Sequence, residues 1–121
     1  MLGPLVSRIV SGWMASWFHT KMFIEHASSI SSDAMHVFAG VFIQLMVAVV
    51  FRRTVSSWTP WLVVLGLASL NEFIDLWMEQ WPDLAMQYGE SAKDMFLSLV
   101  LPTLLMLAAR IRPELFGSRF R

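Results

Sequence analysis

The sequence of 121 residues contains no cysteine, which excludes disulfide bonds, a thiol nucleophile and cysteine metal ligands. It also has no glycine-rich phosphate loop, no His-Glu-x-x-His motif and no nucleophile elbow. Basic residues form no stripe along the chain, so nucleic acid is not an expected partner. The first twenty residues lack the basic start, apolar run and cleavage site of a signal peptide, and we expect them to stay in the mature protein.

Charged residues are scarce as well, at 15% of the chain, whereas 56% of the residues are hydrophobic. The apolar residues concentrate in three segments, 34–51, 58–77 and 92–109, each close to the roughly 17–25 residues that a transmembrane helix needs. Most of the six tryptophans lie near the ends of these segments, as is typical of the membrane surface. The sequence therefore predicts an all-α integral membrane protein with three transmembrane helices in a single domain, residues 1–121.

Residues 1–25 precede the spans and have the 3.6-residue period of an amphipathic helix. Its apolar face would hold Leu2, Leu5, Val6, Ile9, Val10, Trp13 and Trp17. Arg8 lies on the opposite face and argues against a span, so we predict an interfacial helix that lies on the membrane. A fourth, short span is the alternative. The serine-rich residues 26–32 predict a connection, and Ser32 or Asp33 is expected to cap the first span.

The distribution of basic residues predicts the orientation of the chain in the membrane. Those that follow the first and third spans are Arg52, Arg53, Arg110, Arg112, Arg119 and Arg121, and those at the opposite end are Arg8, Lys21 and Lys93. Basic residues favour the cytoplasmic side of a membrane. We therefore expect the amino terminus outside, the carboxyl terminus in the cytoplasm and an acidic loop at 78–91 outside.

Polar and ionisable residues gather at the outer end of each span. They are Asp33, His36, Asn71, Glu72, Asp75, Lys93 and Asp94. Asp33 and His36 are three residues apart and share a helix face, where the carboxylate can orient the imidazole ring. Glu72 and Asp75 follow an apolar run and lie near membrane depth, where ionisable residues usually face a cavity or a partner. Simple solvation of helix ends is the alternative, and it accounts well for Glu79.

Carboxylates with one imidazole suit a divalent cation such as Mg²⁺, which would in turn bind a phosphate-bearing lipid headgroup. The candidate metal ligands are Asp33, His36, Glu72, Asp75 and Asp94, with Asn71 and Lys93 in support. The same groups could instead hold a headgroup amine, or relay a proton between His36 and Glu72. If the protein is an enzyme, the candidate catalytic residues are Glu72, Asp75, His36 and Asp94. The residues alone leave these alternatives open.

Three helices bury little surface among themselves, so close packing of small residues or self-assembly into a homo-oligomer is expected. The small residues of the first two spans that suit such packing are Gly40, Gly66, Ala68 and Ser69. Pro102, inside the third span, is expected to kink that helix and to free a carbonyl one turn earlier, near Ser98.

The polar pattern of these helices resembles the small VanZ-like proteins of the bacterial inner membrane. It consists of Asp33-x-x-His36, Asn71-Glu72-x-x-Asp75 and Asp94, and the resemblance covers about 32–110. It implies a multi-pass inner-membrane protein, and many members of that family are uncharacterised. With the predicted orientation, we expect a polar site at the outer boundary that binds a lipid headgroup or a divalent cation in the cell envelope.

From Leu70 to Met95 the chain is also similar to prokaryotic diacylglycerol kinase. The matching positions are Asn71, Asp75 in place of a Glu, Glu79 in place of an Asp, and Ala92-Lys93-Asp94. That resemblance implies a lipid kinase in which Asp75 and Glu79 bind magnesium while Lys93 and Asp94 contact nucleotide.

A third hypothesis is a non-catalytic accessory subunit or scaffold, whose helices pack against a larger membrane complex. Its contacts would include the tryptophans near the helix ends, namely Trp58, Trp61, Trp77 and Trp81.

Overall fold

The computed structural model describes residues 2–116, which form four α-helices and one short 3₁₀ helix. They are α1 (Leu2–Ser28), α2 (Ser32–Val50), α3 (Trp58–Met78), α4 (Leu84–Ile111) and the 3₁₀ helix Pro113–Phe116. No strand forms within this range, so the prediction of an all-α fold is confirmed. Met1 of the predicted first helix, and Arg119 and Arg121 of the orientation prediction, lie outside the described residues.

The helices α2, α3 and α4 are each long and apolar enough to cross a membrane, as predicted, and they support a multi-pass membrane protein. In the most apolar 18-residue stretch of each of these helices, at most 22% is buried inside the protein. Large side chains such as Phe42, Leu62 and Leu104 are therefore exposed on the outside of the bundle. Lipid is as apolar as these side chains, so this surface suits a membrane and needs no protein cover.

The fourth helix is longer than predicted. α4 begins at Leu84 instead of at residue 92, because the carboxylate of Asp83 accepts hydrogen bonds from two amides of the first helical turn. The predicted outer loop at 78–91 is thus wrong over its second half, and only residues 79–83 separate α3 from α4.

The connection between α1 and α2 is also shorter than the predicted one, because α1 continues to Ser28. The cap of α2 is Ser31, whose hydroxyl accepts a hydrogen bond from the amide of Ala34 at 3.2 Å. The prediction that Ser32 or Asp33 caps the helix is therefore wrong by one residue or two. Both lie in the first turn of the helix that Ser31 caps.

The helices α2 and α4 approach each other closely at Gly40. A Cβ atom at this position would lie 2.1 Å from the carbonyl oxygen of Ser98, so only glycine fits. That carbonyl lacks its usual helical donor, since Pro102 four residues later has no N–H. The prediction of close packing is confirmed here, whereas Gly66 has nothing within 4 Å of its Cβ position.

Gln44 lies one turn beyond Gly40 and extends the contact between α2 and α4. It is fully buried, and its side-chain Nε2 donates a hydrogen bond to the carbonyl oxygen of Pro102 at 2.8 Å. The other side-chain atom of Gln44, Oε1, is buried without a hydrogen-bond partner among the described residues. The polar contacts at the centre of the spans therefore tie these two helices together.

The end of the bundle away from the polar residues is closed by a small apolar core and by Arg110. Val55 is completely buried against Ala48 and Ala109. Arg110 Nε donates to the carbonyl oxygen of Ser56 at 2.8 Å, and its guanidinium lies 4.8 Å from the ring centroid of Trp58. These contacts fix α4 to the start of α3.

The first helix joins the bundle through its second half. Trp17 Nε1 donates to Asn71 Oδ1 at 3.1 Å, and Lys21 Nζ donates to the carboxylate of Asp75 on α3. Both pairs are separated by 54 positions, so α1 and α3 run side by side in the same direction here. By contrast, residues 3–13 of α1 are all exposed.

Candidate functional site

Three ionisable side chains from three different helices converge near the polar end of the bundle. His36 of α2, Glu72 of α3 and Asp94 of α4 each offer one ligand atom, and these atoms lie within 4.8 Å of one another. His36 Nε2 is 3.5 Å from Asp94 Oδ2 and 4.0 Å from Glu72 Oε1. We refer to these three residues as the acid–imidazole cluster. The sequence placed all three among its candidates.

Two members of the cluster are held by serine hydroxyls of α4. Ser98 Oγ lies 3.1 Å from His36 Nδ1, so the other ring nitrogen, Nε2, faces the two carboxylates. Ser91 donates its hydroxyl to Glu72 Oε2 at 2.9 Å, and Glu72 is only 6% exposed. Metal-binding histidines are commonly fixed in this way, with one ring nitrogen hydrogen-bonded and the other free to bind the metal.

Asp33 does not contact His36, although their spacing predicted that it would. It pairs with Lys93 of α4, whose Nζ lies 3.3 Å from Asp33 Oδ1 and 2.7 Å from Glu90 Oε2. All three of these side chains are at least 43% exposed, so they form a rim above the cluster. Their interaction is screened by solvent and contributes little to stability.

Asp75 also lies outside the cluster, because it pairs with Lys21 of α1. Both side chains are 21% exposed, and the Lys21 ammonium also donates to Asn71 Oδ1 at 2.8 Å. Asn71 in turn approaches Glu72 Oε1, with 3.4 Å between Nδ2 and that oxygen. The predicted supporting residue Asn71 therefore links the Lys21–Asp75 pair to the cluster.

Sequence reasoning missed Lys21, Ser91 and Ser98. The serines carry no signal of their own, since serine is common in transmembrane helices. Lys21 did have a signal: it follows Trp17 by four residues and precedes Glu25 by four, so these three side chains share one face of α1. That face continues the predicted apolar one, to which Trp17 belongs, and it meets α3.

A cavity of about 690 Å³ opens beside the cluster, between α1 and the other three helices. Its wall near the middle of the spans is apolar and includes Trp13, Ile43, Val64 and Leu67. Its other end is lined by ionisable residues, among them the whole acid–imidazole cluster. Small-molecule sites usually measure roughly 300–1,000 Å³. The cavity therefore has the size of a ligand site, with one polar and one apolar end.

The ionisable lining of this cavity is strongly acidic. Its carboxylates are those of Glu25, Asp33, Glu72, Asp75, Glu79, Glu90 and Asp94, against the single lysine Lys21. Among the residues that the structure describes, Glu25 and Glu79 contact no basic side chain. Glu79 instead accepts a hydrogen bond from Trp81 Nε1 at 3.1 Å. The lining thus favours cationic over anionic ligands.

Comparison of the chain with protein-family models, with curated proteins and with solved structures finds no match. The resemblances to VanZ-like proteins and to diacylglycerol kinase therefore stay predictions. Of the two residues that the kinase resemblance assigns to magnesium, Asp75 contacts Lys21 and Glu79 contacts Trp81.

Proposed function

We propose that this protein binds a divalent cation through His36, Glu72 and Asp94 and, through that cation, the headgroup of a membrane lipid. The observation that carries the proposal is the approach of an imidazole nitrogen and two carboxylate oxygens to within 4.8 Å. No lysine or arginine of residues 2–116 contacts Glu72 or Asp94. A cation between two carboxylates inside a membrane protein stabilises their charges, and the imidazole makes a metal ion suitable.

The donor set indicates which cations fit best. Imidazole nitrogen suits Zn²⁺ and its neighbours, whereas carboxylate oxygen suits Mn²⁺, Mg²⁺ and Ca²⁺. One nitrogen with two oxygens therefore favours Zn²⁺ or Mn²⁺ over the Mg²⁺ expected from the carboxylates alone. Asp33 and Asp75 are paired with lysines, so three protein ligands remain. A cation with three protein ligands keeps an open position for an external oxygen, such as that of a phosphate.

The shape of the cavity supports a lipid as the source of that oxygen. A headgroup at the acid–imidazole cluster would leave the apolar part of the lipid against Trp13, Ile43 and Val64. The exposed apolar residues within 3–13 of α1 suit the headgroup layer of a membrane, as an interfacial helix requires. With Arg52, Arg53, Arg110 and Arg112 at the cytoplasmic end, the cluster would face the outside of a bacterial inner membrane.

Direct metal binding tests this proposal. We expect the purified protein in a neutral detergent to bind one Zn²⁺ or Mn²⁺, and His36→Ala to weaken the affinity about a hundredfold, since even a second-shell change costs about 10–100-fold. Isothermal titration calorimetry measures both. The matched control is His26→Ala, which removes an exposed histidine outside the cavity and should bind like the wild type. Equal binding by both variants would rule out the cluster and favour the scaffold hypothesis.

Cysteine labelling tests the orientation, because the natural chain has no cysteine to interfere. We expect a single cysteine at the exposed Gln80, in the loop between α3 and α4, to react with a membrane-impermeant maleimide on intact cells. A cysteine at Ser56, between α2 and α3, should react only after the cells are opened. The reverse pattern would place the cluster in the cytoplasm and make a diacylglycerol kinase assay with ATP the next experiment.

A further inference from the structure

The charge of the cavity lining bears on the charge of the headgroup that would fit there, which the metal site alone does not determine. The seven carboxylates of the lining face Lys21, and two of them contact Lys93 on the rim, so the lining stays negative even after a divalent cation binds at the acid–imidazole cluster. An anionic headgroup would be repelled by this lining, whereas a headgroup that carries its own positive charge would be attracted. The lining therefore favours a ligand that carries a positive charge at this end of the cavity.

The position for such a positive charge follows from the register of α1 against α3. Trp17 contacts Asn71, and one turn later Lys21 contacts Asp75, with 54 positions between the partners each time. One turn further along α1, Glu25 has the same separation from Glu79, the residue that caps the end of α3 and whose amide still donates to the carbonyl oxygen of Asp75. Both glutamates line the cavity.

Within residues 2–116, this third pair is not neutralised by a basic side chain, although Glu79 accepts a hydrogen bond from the uncharged Trp81 Nε1. No basic side chain among the described residues contacts Glu25 or Glu79. One turn away, the Lys21 ammonium donates hydrogen bonds to a carboxylate and to an amide oxygen. An amine therefore already binds between α1 and α3 in this cavity. Two carboxylates at one level repel each other, and an ammonium group between them removes that repulsion while donating charge-assisted hydrogen bonds to both.

We propose that the lipid bound in this cavity carries a protonated amine, and that Glu25 and Glu79 bind it. The chemical class is a zwitterionic aminophospholipid, whose phosphate would bind the cation while its ammonium group lies between the two glutamates. The inference rests on the proposed function, because the phosphate needs the cation at His36, Glu72 and Asp94. The apolar wall at Trp13 and Val64 takes the acyl part, which distinguishes a lipid from a free amine.

The test compares two short-chain lipids on the full chain saturated with Mn²⁺. Titration of the intrinsic tryptophan fluorescence with dioctanoyl phosphatidylethanolamine should give a Kd about tenfold lower than with dioctanoyl phosphatidylglycerol, the factor expected for one charge-assisted hydrogen bond. Glu25→Gln should abolish this preference. The matched control Glu114→Gln, an exposed glutamate outside the cavity, should keep it. If Glu25→Gln fails to fold, Glu79→Gln serves the same purpose, and the wild-type comparison needs no variant.

Three results would overturn the inference in distinguishable ways. Equal affinity for the two lipids, with Mn²⁺ binding intact, overturns the amine preference and leaves the proposed function standing. Binding of O-phosphoethanolamine as tightly as of phosphatidylethanolamine overturns the lipid and assigns the site to a soluble amine. Absence of Mn²⁺ binding overturns the proposed function and this inference with it.

Discussion

Gly40→Ala will lower the free energy of unfolding by about 3 kcal/mol, at the upper end of the cost of adding a methyl group to a packed core. The added Cβ atom would lie 2.1 Å from the carbonyl oxygen of Ser98 and 3.1 Å from its carbonyl carbon. Both atoms belong to the backbone of α4, so no side-chain rotation relieves the clash and the two helices must separate. Unfolding in detergent followed by circular dichroism measures the loss.

Gly66→Ala is the matched control for this experiment. Gly66 also lies inside a transmembrane helix, but nothing approaches its Cβ position within 4 Å. Alanine is the better helix former, so this variant should be as stable as the wild type or slightly more stable. If the two variants have the same stability, α2 and α4 do not meet at Gly40 as described. Separation of the helices would also move Ser98 away from His36, so Gly40→Ala should weaken metal binding too.

Lys21→Met will destabilise the protein by about 3 kcal/mol, because it leaves Asp75 as a largely buried carboxylate without a counter-ion. Methionine keeps much of the apolar stem of the lysine and removes the ammonium. Both side chains of the pair are only 21% exposed, so solvent compensates the remaining charge poorly. The free energy of unfolding, measured as above, should recover in part when Asp75→Asn is added, since the lone charge is then gone.

Lys93→Met separates this effect from a general loss of positive charge. Lys93 contacts two carboxylates, those of Asp33 and Glu90, but its side chain is 43% exposed. Exposed ion pairs contribute about 0–1 kcal/mol, so this variant should unfold almost like the wild type. An equally mild effect of Lys21→Met would show that α1 is held to α3 by other contacts than this pair.

The sequence predicts well where the spans lie and at which end of the bundle the ionisable residues gather. Both features depend only on the composition along each single helix. The sequence places His36, Glu72 and Asp94 correctly at one end, since the ends of antiparallel spans follow from their order in the chain. Gly40 was likewise found as a small residue suited to close packing, a role that the structure confirms. These features need no knowledge of how the helices are rotated about their axes.

The pairing of charges could not be predicted, because it depends on that rotation. The spacing of Asp33 and His36 indicated a contact within α2, yet each side chain finds its partner on α4. Lys21 was counted only as a basic residue outside the membrane, although it binds Asp75 across 54 positions. The early start of α4 was missed for another reason. Hydropathy indicates where the apolar span begins, whereas the cap at Asp83 determines where the helix begins, and the two positions differ.

The contact at Gly40 gives the bundle one stiff side and one compliant side. On the stiff side, α2 meets the backbone of α4 without an intervening side chain, and the Gln44 hydrogen bond lies one turn further along. On the compliant side, α1 is tied to α3 through long side chains, chiefly those of Trp17 and Lys21. The spacing of His36 and Asp94 is therefore set by direct contact between two backbones, whereas the wall of the cavity that α1 forms depends on a few side-chain contacts.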